Sequence, residues 1–379
     1  MWRRGEGVYA LIVASVVSLE ALALGGLVLV FSARLWGAVG YGPVAWTLWQ
    51  SLALTGLALG VLSGYVLLYH TYTAWREGRA RAAYQAWLAR FTEALLEEKE
   101  PPSPPWPEEA VEALLALRES LRGEYGERLS AWLREVLPRW RRRLLGRFAS
   151  RATRLEALDA LAQARLAEAL PLVLPYLRHP DPVLRLAAAR AASRLAPKEA
   201  ALALASGLLQ AALPRGALLE VLLLLEDRAD PVVRHFLEEG GGEEAWAALE
   251  ALGRLRLLGL AGEAERFLHH PDPELRAAAM RALARLGYAP EGLWEVVLAH
   301  LQAPEDFLRL QAVRLLPLVG GEVARRALWR ALSDPSFYVR RGAAEALRSL
   351  DPGLLRQAAQ AHPDPYGRAM AEQVLRKET

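Results

Sequence analysis

The chain has 379 residues, with 46 Lys and Arg against 43 Asp and Glu, no cysteine and no asparagine. The missing cysteine excludes a disulfide framework, a thiolate zinc centre and a cysteine nucleophile. A composition that is 53% hydrophobic with nearly balanced charge excludes a disordered polyelectrolyte. Only Lys99, Lys198 and Lys377 are lysines. This arginine-for-lysine usage is what a thermophile shows, and what GC-rich codon usage also produces.

Residues 1–72 form the first predicted region. Val8 to Phe31 is an apolar run with one charge, Glu20, and Val44 to Tyr69 is a run with no charge and one amide, Gln50. At 1.5 Å per residue each reaches roughly 36–39 Å, enough to cross a hydrocarbon core of about 30 Å. Two transmembrane helices, 8–31 and 44–69, are therefore expected. Arg3 and Arg4 precede the first, Arg34 alone lies in the connection, and Arg76, Arg79, Arg81 and Arg90 follow the second. The positive-inside rule then puts both termini in the cytoplasm of a multi-pass inner-membrane protein. Gly56, Gly60 and Gly64 recur every fourth residue and lay a close-packing groove along one helix face. Glu20, a carboxyl at mid-membrane, reads either as a local bond within the hairpin, to Gln50 or Ser18, or as a contact with a partner helix.

Residues 73–123 read as a neck. A helix continues out of the second span, and Pro101–Pro107, which no helix can continue through, reads as a stiff spacer. Glu124–Phe148 reads as one kinked amphipathic helix. Beside it lies a basic block, Arg139, Arg141, Arg142, Arg143, Arg147, Arg151 and Arg154, with no acid between Pro138 and Leu155. A solvated helix face, the anionic inner leaflet, an acidic protein and nucleic acid all fit such a block.

Residues 124–379 repeat internally. The runs Leu-Arg-His-Pro-Asp-Pro (177–182), Leu-His-His-Pro-Asp-Pro (268–273) and Leu-Ser-Asp-Pro-Ser-Phe (332–337) each lead into Val/Leu-Arg and an alanine cluster. Aligned on the arginine, the copies fall at Arg154, Arg185, Arg215, Glu244, Arg276, Arg309, Arg340 and Arg368, in steps of 31, 30, 29, 32, 33, 31 and 28 residues. A step near 31 is the period of stacked helix pairs. Within each unit, a first helix such as Leu166–Leu177 precedes a turn. Aspartate then caps a second helix whose first residue is proline, as in Pro182–Leu195. Asp230-Pro231 and Asp351-Pro352 open first helices instead, which leaves the register through 200–260 open. The glycines of 240–244 mark a worn repeat and a candidate hinge.

These residues resemble the short, roughly 30-residue variety of HEAT repeats. The resemblance implies an all-α solenoid whose second helices line a concave face. It also implies that Asp181, Arg185, Asp272, Arg276, Arg309, Asp334, Arg340, Asp364 and Arg368 bond within and between repeats. The expected fold is thus a two-helix transmembrane hairpin followed by a HEAT-like α-solenoid.

His179, His270 and His362 occupy the same slot in different repeats, so repeat geometry separates them and no metal site is expected. No His is followed by Glu, the pair through which some HEAT-like enzymes hold iron. No P-loop, dinucleotide fingerprint or nucleophile elbow occurs, and no cofactor is expected. The function these features suggest is a non-catalytic membrane scaffold or adaptor with a protein partner. Small-molecule substrates and nucleic acid are not expected. The rivals are a lyase-like enzyme built on the repeats, and a binder of anionic lipid or nucleic acid through Arg139–Arg154.

Overall fold

The computed structural model describes residues 42–376 together with Phe31 and Arg34. The first apolar run up to residue 30, and Glu20 within it, lie outside the described residues. Among the described residues the secondary structure is helical throughout, with no strand. The chain divides into two compact units, Met1–Leu117 and Arg118–Thr379.

The first unit contains α1 (Gly42–Leu96), a single helix of 55 residues and about 82 Å. It absorbs the second apolar run and the start of the neck without a break. Its last turns are amphipathic: Phe91, Ala94 and Leu95 are buried, and Trp87 stacks on Phe91 at 5.5 Å. The proline run that follows is not a free spacer. Trp106 is buried, meets Phe91 edge-on at 5.6 Å and donates its Nε1–H to the Pro102 carbonyl at 2.7 Å. One large aromatic residue inside the run supplies enough apolar area to fold it back. Helix α2 (Glu108–Ser120) follows and crosses into the second unit.

The second unit begins with α3 (Gly123–Leu133). The single helix expected over Glu124–Phe148 is broken, because a 3-10 turn, Arg134–Val136, separates α3 from α4 (Leu137–Leu145). Pro138 has no N–H for the carbonyl of Arg134, so the turn tightens there. Eight helix pairs then stack among the described residues. In chain order the helices are α4 with α5 (Arg151–Ala164), α6 (Leu170–Val173) with α7 (Pro182–Leu195), α8 (Ala201–Gln210) with α9 (Arg215–Leu223), and α10 (Asp230–Glu239) with α11 (Gly242–Leu255). They continue with α12 (Ala261–Glu265) and α13 (Pro273–Leu286), α14 (Leu293–Leu301) and α15 (Asp306–Val319), α16 (Gly321–Ala331) and α17 (Phe337–Leu350), and α18 (Pro352–Ala361) and α19 (Pro365–Arg376).

The second helices, α5 through α19 by odd number, each pack on the next, and that continuous layer makes the unit a solenoid. Alanine and glycine permit the close approach. A Cβ on Gly253 of α11 would lie 2.9 Å from the Cα of Ala282 on α13. Leucines such as Leu158, Leu184, Leu222, Leu252, Leu283, Leu316 and Leu347 fill the space between layers and are essentially fully buried.

Three local expectations change. The first helix at Leu166–Leu177 is reduced to the short α6 between 3-10 turns Ala167–Ala169 and Leu174–Arg178, because Pro171 and Pro175 each remove a donor. The glycines of 240–244 do not form a loop. Only Gly240 and Gly241 separate α10 from α11, and a Cβ on Gly240 would strike the Phe236 carbonyl oxygen at 2.5 Å. The register through 200–260 is set by helix starts at 151, 182, 215, 242, 273, 306, 337 and 365. The aligned arginine is the fourth helical residue in six of these. Arg215 is instead the first residue of α9 and Glu244 the third of α11, so neither is the repeat's structural counterpart.

Candidate functional site

The interhelix turns are built from one device. In the His-Pro-Asp-Pro turns the histidine Nδ1 accepts the N–H of the aspartate two residues on: Asp181 to His179 at 3.1 Å, Asp272 to His270 at 3.0 Å and Asp364 to His362 at 3.2 Å. Each aspartate carboxylate then accepts from the second helix, from the N–H of Val183, Glu274 and Tyr366 at 2.8–2.9 Å. The repeat arginine folds back on the same turn. Arg276 Nη1 donates to the carbonyls of His270 and Pro271, Arg340 to those of Asp334 and Pro335, and Arg368 to those of His362 and Pro363. Arg185 reaches only the His179 carbonyl, at 3.4 Å. The histidines thus spend a ring nitrogen on backbone and do not face one another. Among the described residues no three His, Asp or Glu side chains converge as metal ligands do.

Asp334 differs from its expected place. It lies six residues before Arg340, the slot that His179 holds before Arg185, and it accepts the Ser336 N–H at 2.8 Å as the histidines do for their aspartates. It is not the helix cap; Ser336 stands at that position. Its second partner is Arg309 of the preceding repeat.

The second-helix layer carries a charged band that sequence reasoning missed. Glu250, in the middle of α11, is only 3% exposed. It accepts from Arg281 Nε and from Arg285 Nη1 of α13, the latter at 2.7 Å, with Arg254 Nε at 3.8 Å. Burial alone pushes this carboxyl up, but the hydrogen bonds and charges of Arg285 and Arg281 outweigh it and hold the group below its ordinary range. It is therefore a fixed anion at neutral pH and cannot act as a proton donor there. The band continues with Arg190–Glu220 at 2.8 Å and Arg341–Glu345 at 2.9 Å. The available signal was spacing: Arg281 and Arg285 follow Glu250 by one repeat step and by one step plus a helical turn.

The first-helix layer is open toward its C-terminal end. A groove of about 450 Å³ separates α14 from α16, lined by Trp294, Leu298, Leu301, Val323, Ala327 and Ala331 with Arg326 and Arg330 at its rim. A second, of about 430 Å³, lies between α16 and α18, where Trp329 and Leu354 stand among Arg325, Arg326, Arg330, Glu322 and Asp351. Arg325 and Arg326 pair with Glu322, and Arg325 also with Asp351. Arg330 has no ion-pair partner among the described residues and is exposed.

The basic block is split by the fold. Arg151 pairs with Asp181 of the next repeat at 2.9 Å, and Arg154 is half-buried. Arg139 and Arg143 are half-buried on α4, whereas Arg141, Arg142 and Arg147 are exposed. On α1, Gln50 is exposed, and Gly56, Gly60 and Gly64 have open space where a Cβ would project.

No family model matches the chain, and no curated protein matches it. Similar solved structures include an engineered protein at 17% identity, covering 79% of this chain and 95% of that one with a TM-score of 0.36. Another is a HEAT-like repeats protein of the archaeon Thermococcus onnurineus NA1, at 16% identity, covering 65% and 95% with a TM-score of 0.31. A third is the complex of CpcE and CpcF of phycocyanin lyase from Nostoc sp. PCC7120, at 20% identity, covering 74% and 99% with a TM-score of 0.25. The neighbours thus include HEAT-like, all-helical repeat folds, and the solenoid itself is evident from the successive packing of α5 through α19.

Proposed function

We propose that this chain is a non-catalytic scaffold of the inner membrane, held by two N-terminal spans with both termini cytoplasmic, and that its solenoid docks a protein partner. The observation that carries the membrane half is the surface of α1. Over Trp46–Leu96 it is long and apolar enough to cross a bilayer, and its most apolar stretch has no buried residue. Trp46 stacks with Trp49 at one end of the apolar stretch, and Tyr65 with Tyr69 at the other. The two ends lie about 35 Å apart, the spacing of interfacial aromatic belts. Exposed leucines on every side of a helix are stable in lipid and costly in water.

The docking half is supported by the grooves beside α16. In the second-helix layer Glu250 is met by Arg281 and Arg285, and Glu220 by Arg190. The α14–α16 groove instead exposes Leu298 and Val323, at 43% and 49%, beside Arg330. Its composition describes its occupant: an amphipathic helix with apolar residues toward Trp294, Leu298 and Val323, and a carboxylate for Arg330.

The test is purification of tagged full-length protein in mild detergent, beside a Leu298→Asp/Arg330→Glu variant. A stoichiometric companion is expected with the parent and lost with the variant. Recovery of the parent alone would overturn the scaffold reading, and a companion retained by the variant would overturn the groove. Full-length protein that stays in the aqueous fraction after ultracentrifugation without detergent would overturn the membrane half.

A further inference from the structure

The corner between α4 and α5 presents an apolar tip inside a ring of cations. Phe148 is 93% exposed and Leu145 is 52% exposed. The projection is not fraying, because both ends of the turn are fixed. Gly146 leaves α4 in an extended conformation (φ −58°, ψ 131°), and a Cβ there would meet the Arg142 carbonyl oxygen at 2.7 Å. The Ala149 N–H donates to the Gly146 carbonyl at 3.0 Å, and Ser150 caps α5 by accepting the Thr153 N–H at 3.1 Å. An ordered turn therefore holds a phenylalanine out in water.

The cations share that tip. A shallow hollow is lined by Pro138, Arg141, Arg142, Leu145 and Gly146, so Leu145 shares it with two exposed arginines. The Arg147 guanidinium carbon lies 6.0 Å from the Phe148 ring centroid, over its face. No acid lies between Pro138 and Leu155, and Arg151, which pairs with Asp181, belongs to the repeat stack.

We infer that this corner is an anionic-lipid contact: Phe148 and Leu145 enter the interface of a bilayer while Arg141, Arg142 and Arg147 engage headgroup phosphates. Cations attract the charged leaflet and a short apolar wedge fixes the depth. A polyanion such as RNA, or an acidic protein segment, would take up the arginines but leave Leu145 in water. The inference is independent of the α14–α16 groove, and it needs the α1 anchor only to bring the corner near lipid.

The chain has no cysteine, so a single introduced thiol is a unique reporter. The experiment places a nitroxide at Ala149→Cys in full-length protein in nanodiscs, of phosphatidylcholine alone or with phosphatidylglycerol. Access to a water-soluble nickel chelate should be lost and access to oxygen should rise only with phosphatidylglycerol. Both changes should be reversed by high salt and abolished by adding Phe148→Ser or Arg141→Ser/Arg142→Ser. These exposed substitutions are checked by unchanged far-ultraviolet circular dichroism. A label equally accessible to the chelate in both lipids, or equally protected in both, overturns the inference. Protection by a uridine oligonucleotide in place of phosphatidylglycerol overturns it in favour of nucleic acid. Failure to co-elute with phosphatidylcholine nanodiscs is a separate result: it sinks the α1 anchor while anionic vesicles still report on the corner.

Discussion

Asp334, in the turn before α17, accepts both Nε and Nη2 of Arg309 on α15, at 2.8 and 3.1 Å. The two side chains are only 12–14% exposed, and Arg309 also ties down the carbonyls of Ala303 and Pro304. One guanidinium thus joins its own turn to the turn of the next repeat. Lysine keeps the charge but cannot make the fork. Arg309→Lys should lower the unfolding free energy by about 1–2 kcal/mol, read as a lower Tm of the detergent-solubilised protein. Asp334→Asn should cost a similar amount, and the double variant should cost much less than the sum.

Glu250 makes stability depend on acid. Its folded carboxyl sits below the ordinary range, so the folded chain binds that proton less readily than the unfolded one. The contribution is complete above the ordinary carboxyl value and is lost as pH falls through the depressed one. Glu250→Gln should lower stability at neutral pH by about 1–3 kcal/mol and flatten the decline of Tm on acidification. A variant whose acid limb matches the parent would contradict this.

In the turn before α13, His270 acts through the lone pair of its Nδ1. His270→Ala removes the acceptor for the Asp272 N–H, and Asp272→Ala removes the cap of α13. Each should cost about 0.5–2 kcal/mol. Hydrogen exchange should rise first at the start of α13, with other repeats unchanged, because solenoid units couple mainly to their neighbours.

Gly253 sets the spacing of α11 and α13. A side chain there meets backbone, the Ala282 Cα, which cannot rotate away. Gly253→Leu should destabilise by about 1–3 kcal/mol or more, whereas Gly253→Ala should cost less. Chemical denaturation of the two variants gives the order.

Arg256 ends α11 with φ of 55°, the left-handed conformation that Gly287 adopts at the end of α13. A Cβ there costs about 1 kcal/mol, partly offset by the greater freedom glycine gives the unfolded chain. Arg256→Gly should therefore leave stability unchanged or raise it by up to about 0.5 kcal/mol, detectable as a small upward shift in Tm. A clear loss would show that the Arg256 side chain makes a contact worth more than the strain.

The sequence by itself determined the features that live within one helix or one turn. The period near 31, the Asp-Pro helix starts, the charge-free run of α1 and the basic block are all local, and local propensity and capping energies are written residue by residue. Tertiary structure decided what depends on the neighbouring repeat. Helix starts spaced 31, 33, 27, 31, 33, 31 and 28 residues apart slide each side chain against the next helix. That sliding put Glu250 against Arg281 and Arg285 and removed Arg215 from the arginine series. It also separated α14, α16 and α18 into open grooves. Outside the stack, tertiary contact buries Trp106 against Phe91. A contact across layers follows from the angle and offset of two helices, and those are fixed by the packed volumes of many residues at once.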